Sequence, residues 1–182
     1  MKIIAGPCQL ESSEHAIEIA SALKELCEKY DFEFYFKSSF DKANRTSIHG
    51  KRGPGIFQGI QWLSDVRDEV GCKVLTDVHE TWQIKEIINV ADVIQIPAFL
   101  CRQTDLIVRS VELASLTDKI VNIKKGQFLA PWDVKGILSN STKIMVDVEG
   151  GNNLLYLPLD KIMEENIPKN ILIQGVDRKS VV

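Results

Sequence analysis

The sequence predicts an α/β protein built as a (β/α) TIM-type barrel, incomplete after the fifth β-α unit. Three observations carry that expectation. Strand-like and helix-like runs alternate five times, at a spacing of roughly 20–35 residues that suits parallel strands joined by crossover helices. Polar residues collect at the C-terminal ends of successive strands: Lys37 and Ser39, Asp77 and His79, Gln95, then Lys124 and Gln127. A (β/α) barrel builds its site from several strand ends, whereas an open sheet draws on the strands beside its switch point. Finally, no Gly-x-Gly-x-x-Gly follows the first strand, which removes the main support for a dinucleotide fold.

Each element has its own signal. Lys2–Ala5 is a short apolar strand that stops at Gly6-Pro7. Ser12 or Ser13 can cap the next helix, with Glu14 in its first turn favoured by the macrodipole. Ala16, Ile19, Ala20, Leu23, Leu26, Cys27 and Tyr30 fit one face of that helix. The aromatic run Phe32–Lys37 is the second strand. After a polar loop, Ile56, Ile60, Leu63, Val66 and Val70 mark a helix that stops at Gly71.

The alternation then repeats: strand Lys73–Asp77, helix Thr81–Val90, strand Val93–Ile96, helix Thr104–Leu116, strand Ile120–Lys124. Pro131, a favoured first-turn residue, opens a short helix. Beyond about Asn140 the pattern weakens, with a sixth strand at Lys143–Val148 and a seventh at Asn170–Gln174. Between them lie Glu149-Gly150-Gly151-Asn152-Asn153 and the Leu/Ile segment Leu154–Ile162, and Asp177–Val182 reads as a loose tail. The domain reading is residues 1–140 as five β-α units and 141–182 as a divergent C-terminal segment of the same domain. A full barrel typically takes ~250 residues, with ~200 near the lower limit, so the chain is short for the fold it starts.

Composition narrows the partners. The 182 residues are 45% hydrophobic and 26% charged, enough chain for a real core. A net charge of −3 argues against nucleic acid or an anionic membrane as the main partner. Cys8, Cys27, Cys72 and Cys101 show no Cys-x-x-Cys spacing. No signal peptide precedes Ile3 and no apolar run approaches the ~20 residues of a membrane span, so a cytoplasmic location is expected.

Against that acidic background one stretch is basic. Phe36–Gly55 holds Lys37, Lys42, Arg45, Lys51 and Arg52 among Ser38, Ser39, Asn44, Thr46 and Ser47, opposed only by Asp41. Charge-assisted hydrogen bonds from such donors suit phosphate or carboxylate oxygens. Gly53-Pro54-Gly55 then bends a backbone that can approach a ligand. The competing reading is a solvated basic loop.

The motifs resemble those of the 3-deoxy-D-manno-octulosonate 8-phosphate synthase family. They are Ala5-Gly6-Pro7-Cys8, the run Phe36–Ser47 containing Lys42-Ala43-Asn44-Arg45-Thr46-Ser47, and Arg52-Gly53-Pro54-Gly55. Thr76-Asp77-Val78-His79-Glu80, the run Ile94–Asp105 and the run Asn122–Pro131 complete the set. The resemblance covers about residues 2–131, in the family's order. It implies a homotetrameric barrel enzyme that condenses phosphoenolpyruvate with arabinose 5-phosphate, releasing phosphate, on the route to bacterial lipopolysaccharide.

For this chain the resemblance implies Lys42, Asp77 and Lys124 as catalytic. Lys37, Ser39, Asn44, Arg45, Thr46, Gln95, Ala98, Arg102 and Gln127 are implied as substrate-binding. Lys37, Lys42 and Lys124 would hold phosphoenolpyruvate, Asn44, Arg45 and Thr46 the aldose phosphate, and Arg102 a contact lent between subunits. Cys8 by itself reads as a small core residue. In the family this position separates a metal-dependent branch, with Cys, from a metal-free branch, with Asn. A divalent metal (zinc, iron or manganese) is therefore the cofactor expectation, with Cys8 as a ligand. His79 has a pocket, capping or core role open to it. Trp62 and Trp82 read as core or subunit contacts, and Lys85 and Glu86 as surface charges.

There are departures as well. The family's Glu-Arg-Gly loop, whose Arg binds the phosphate of phosphoenolpyruvate, is replaced by Val148-Glu149-Gly150-Gly151. The later family segment that completes the metal site has no counterpart, which leaves Cys8 without its three co-ligands. The expectation is a truncated or frame-disrupted copy with impaired activity. Two alternatives stand beside it. One is the sister synthase that uses erythrose 4-phosphate, disfavoured by the Lys-Ala-Asn-Arg-Thr-Ser run. The other is a non-catalytic barrel fragment that binds sugar phosphate or associates with a full-length subunit.

Overall fold

The structure is a computed structural model that describes residues 1–130, 133, 144–149 and 173–176. The chain divides into two compact units, Met1–Val78 with Trp82–Ile94, and His79–Thr81 with Gln95–Val182.

The first unit holds β1 (Lys2–Ala5), α1 (Ser13–Lys29), β2 (Glu33–Lys37), α2 (Ile56–Val70), β3 (Lys73–Asp77), most of α3 (Thr81–Ile87) and the start of β4 (Val93–Ile96). β1 pairs in parallel with β2, Ala5 opposite Phe36, and β2 pairs in parallel with β3, Lys37 opposite Leu75. Asp92 N–H donates to Val74 O at 2.8 Å, while its carboxylate accepts from Val74 N–H at 2.9 Å. β2 thus lies between β1 and β3. A doubly wound sheet would carry the chain back to the far side of β1 to make its switch point. Sequential parallel order with a helix between neighbours is the architecture of a partial (β/α) barrel.

The strands are apolar on both faces, as buried parallel strands must be: Phe34, Tyr35 and Phe36 are all buried, as are Val74 and Leu75. α1 starts where Ser12 Oγ accepts from His15 N–H at 3.1 Å, and α2 stops at Gly71 in the left-handed conformation. Leu63 and Val66 of α2 are fully buried. α1 presents a narrower stripe than its sequence promises. Ala16, Ala20 and Cys27 are buried, but Leu26 and Tyr30 lie at its flank and are exposed, Tyr30 stacking instead on Phe32 at 6.2 Å.

The second unit holds the end of β4, α4 (Thr104–Ser115), β5 (Ile120–Lys125), β6 (Ile144–Glu149) and β7 (Ile173–Val176). β5 pairs in parallel with β6, and β6 with β7. The boundaries predicted for β5, β6 and β7 shift by one to three residues. A 3-10 turn at Ala98–Leu100, after Pro97, is an element the sequence reading lacks. The helix expected at Pro131, the segment Leu154–Ile162 and the tail Asp177–Val182 lie outside the described residues. No helix among the described residues is long and apolar enough to cross a membrane.

Candidate functional site

In the first unit, the C-terminal ends of β1, β2 and β3 carry the polar residues. Lys37 ends β2 and Asp77 ends β3, and Ser38, Ser39 and Asp77 are buried. The chain after β1 is brought over Lys37 by Gly6. A Cβ at that position would overlap the Lys37 carbonyl oxygen, so only glycine permits the approach. Beyond it, Gln9 bridges to Ser39, and Leu10 N–H donates to Ser39 O at 3.0 Å. Cys8 and Gln9 are thereby set beside the basic loop.

Ser39 is the centre of that loop. Its hydroxyl oxygen accepts from Lys37 Nζ and from Lys42 Nζ, each at 3.0 Å. The two ammonium groups therefore stand at most about 6 Å apart, where their mutual repulsion is roughly 3 kcal/mol at an effective dielectric near 20. Both ammonium groups carry donors of the kind that suit phosphate or carboxylate oxygens.

The other cations of the loop are committed differently. Arg45 Nη2 donates to Gln9 Oε1 at 2.9 Å and its Nε to Lys51 O at 2.9 Å. Arg52 grips Asp41 with two nitrogens, Nε on Oδ1 at 2.8 Å and Nη2 on Oδ2. The basic loop is therefore a structured assembly rather than a free solvated run. Asn44, Arg45 and Thr46 are exposed on it.

Cys8 is exposed, so it is not the small core residue that its type suggests. Partial burial would push its thiol up, but the hydrogen bond with Lys42 and the charges of Lys42, Lys37 and Arg45 outweigh that and pull it below the usual range. Among the described residues no three His, Cys, Asp or Glu side chains are grouped to hold a metal ion. The charges of Lys42, Lys37 and Arg45 favour the thiolate form of Cys8.

The second unit has its own strand-end cluster. Gln95, on β4, is buried, and its Oε1 accepts from buried Asn122 Nδ2 on β5 at 2.9 Å. Lys124 is half-buried near the end of β5. Its neighbour Lys125 is buried, donating to Gly126 O at 2.9 Å and to Leu129 O at 2.8 Å, which shapes the turn carrying exposed Gln127. Gly126 packs this turn against the one after β4: its Cβ would lie 3.1 Å from Cys101 Sγ and 3.2 Å from Ala98 O. Ala98 is half-buried there and Arg102 is exposed. His79 is half-buried, Trp62 is half-buried, and Trp82, Lys85 and Glu86 are exposed.

Gln9, Asn122 and Lys125 are structural members of these clusters that the sequence reading did not single out, and it named Asp41 and Arg52 without pairing them. A polar residue inside a buried strand, as Asn122 is, was the available signal for one of them.

Comparison with known proteins finds the sequence pattern of the DAHP synthetase I family over residues 1–156. The chain is 48% identical over 170 residues to a 2-dehydro-3-deoxyphosphooctonate aldolase of Fusobacterium nucleatum, covering 89% of this chain and 60% of that protein. It is 55% identical over 142 residues to the protein of the same name from Chelativorans, covering 78% of this chain and 50% of the relative. For the Helicobacter hepaticus protein the identity is 51% over 156 residues, 86% of this chain and 55% of the relative. The chain thus spans about half the length of the curated relatives it matches.

Proposed function

The chain belongs to the DAHP synthetase I family, and from that premise we propose that it is a 3-deoxy-D-manno-octulosonate 8-phosphate synthase-like protein. Its chemistry is then the aldol-type condensation of phosphoenolpyruvate with arabinose 5-phosphate, with release of phosphate. The observation that carries this reading is the double hold of Lys37 and Lys42 on the Ser39 hydroxyl. It is a strand-end anion cradle, and both substrates are anionic.

The reaction joins an enol-ether carbon to an aldehyde and then adds water. Its demands are positioning and stabilisation of charge rather than a strong base. Lys37 and Lys42 would neutralise the phosphate and carboxylate of phosphoenolpyruvate. Arg45, whose guanidinium is held by Gln9 and the Lys51 carbonyl, would meet the phosphate of the aldose with Asn44 and Thr46. The roles of Asp77, Gln95, Ala98 and Gln127, and of Arg102 towards a neighbouring subunit, rest on the family resemblance alone. On this reading the protein is cytoplasmic, a homo-oligomer, and acts towards bacterial lipopolysaccharide.

A second reading is a non-catalytic barrel protein that binds sugar phosphate or joins a full-length subunit. It is favoured by the absence of arginine from Val146 to Gly151 in the sequence. Both readings require the cradle. Titration of the purified chain with phosphoenolpyruvate, pyruvate and inorganic phosphate at low salt tests it. Binding of phosphoenolpyruvate well above pyruvate, abolished in the Lys37→Ala, Lys42→Ala double variant, is expected. No heat with any of the three ligands would remove both readings.

A further inference from the structure

We infer that Arg52 is a positioning residue and not an anion ligand: with Asp41 it forms a clasp that holds Lys42 at the cradle. The role in ligand binding rests on the reading above, while the clasp itself rests on geometry alone.

By charge, Arg52 is one of five equivalent cations in the loop. By geometry it differs from the rest. Its guanidinium is engaged by both carboxylate oxygens of Asp41, the fork-to-fork arrangement that fixes orientation as well as distance. The hydrogen bond and charge of Asp41 raise the Arg52 pKa further, so the guanidinium keeps its charge. Its main-chain oxygen meanwhile accepts from Lys42 N–H at 2.7 Å. One residue thus grips two consecutive residues of the facing segment, by side chain and by backbone.

Neighbouring contacts complete the neck of the loop. Gly55 N–H donates to Phe40 O at 3.1 Å, and Arg45 Nε to Lys51 O at 2.9 Å. Gly53 has a φ of +112° and sits so close that a Cβ would lie 2.6 Å from Phe40 O. The excursion from Lys42 to Arg52 is therefore closed at its base, and Lys42 stands at the closure point, reaching Ser39. An ion pair this exposed contributes little to global stability. What it supplies is order in Lys42 before the ligand arrives, which lowers the cost of binding.

The signs of two substitutions separate this role from direct ligation. If Arg52 were an anion ligand masked by Asp41, Arg52→Gln would weaken phosphoenolpyruvate binding and Asp41→Ala, by unmasking a cation, would tighten it. The clasp requires both to weaken it, by roughly three- to tenfold each, with the double variant no weaker than the worse single one. Calorimetry at low salt reads the sign, and tightening by Asp41→Ala overturns the inference. Amide hydrogen exchange at Lys42 gives a ligand-independent readout. Protection in the parent chain, lost in Arg52→Gln and in Asp41→Ala, is expected. Unchanged protection overturns the clasp even where phosphoenolpyruvate does not bind, and absence of binding with lost protection overturns only the cradle reading.

Discussion

Lys37 and Lys42 share one acceptor, each donating to Ser39 Oγ at 3.0 Å. Two like charges are brought together there by local chain geometry: Lys37 ends β2, Ser39 follows two residues later, and Lys42 returns at the neck of the loop. On the proposed reading an anion held between the ammonium groups would relieve their repulsion, so affinity and site geometry would have a common origin.

Lys42→Ala should therefore weaken phosphoenolpyruvate binding by about 1–3 kcal/mol, the scale of losing a charged hydrogen-bond partner. The affinity of the parent chain should fall with added salt, and more steeply than that of the variant, which presents one charge fewer. Calorimetric titrations at two ionic strengths check both statements. An affinity indifferent to Lys42→Ala would place the anion elsewhere.

Cys8 offers an optical handle on the same cluster. Cys27, Cys72 and Cys101 are buried, so alkylation of the native protein reports Cys8. Burial opposes ionisation of Cys8, but Lys42, Lys37 and Arg45 favour the thiolate and prevail. The labelling rate should rise to its plateau with a midpoint below that of an unperturbed thiol. In Lys42→Ala a stabiliser of the thiolate is gone, and the midpoint should move up. A midpoint that stays in place would mean that the Lys42–Cys8 contact does not form.

Gly6→Ala tests the framework below the cradle. The added methyl would overlap the Lys37 carbonyl oxygen, and main chain cannot swing aside as a side chain can. Overpacking of this kind typically costs about 1–3 kcal/mol, readable as a lower denaturation midpoint in urea. Because the displaced atom belongs to Lys37, phosphoenolpyruvate binding should weaken too. Unchanged stability and affinity together would show that β1 does not end where the structure has it.

Much of this is legible in the sequence, for physical reasons that also mark its limits. Lys37 and Asp77 are found at strand ends because the apolar runs before them leave little choice of register. The allocation of the loop's charges is a different matter. Arg52 takes Asp41, 11 positions away, and Arg45 takes Gln9, 36 positions away. No periodicity encodes such pairings. The Asn122–Gln95 amide pair spans 27 positions and depends on two strands reaching the same level. Lys124 and Lys125 are adjacent and chemically alike. Alternation places them on opposite sides of β5, but only the surroundings decide that Lys125 is spent on Gly126 and Leu129 carbonyls.

The last prediction is that the 182-residue chain alone does not turn over. Release of phosphate from phosphoenolpyruvate builds negative charge on the leaving group. In the family that charge is met by the Arg of a Glu-Arg-Gly loop. Here the sequence from Val146 to Gly151 is Val-Asp-Val-Glu-Gly-Gly, with two acids and no arginine. Groups aimed at developing charge are commonly worth ~2.7–4 kcal/mol each, or ~10²–10³ in rate. On the proposed reading the cradle cannot substitute, because Lys37 and Lys42 would hold substrate and product phosphate alike, and uniform binding does not lower the barrier. Purified protein given both substrates and zinc, iron or manganese should release no phosphate above background, while still binding phosphoenolpyruvate. Turnover in the ordinary enzyme range, lost on Lys124→Ala, would show that residues outside those described supply the charge that the Val146–Gly151 stretch lacks.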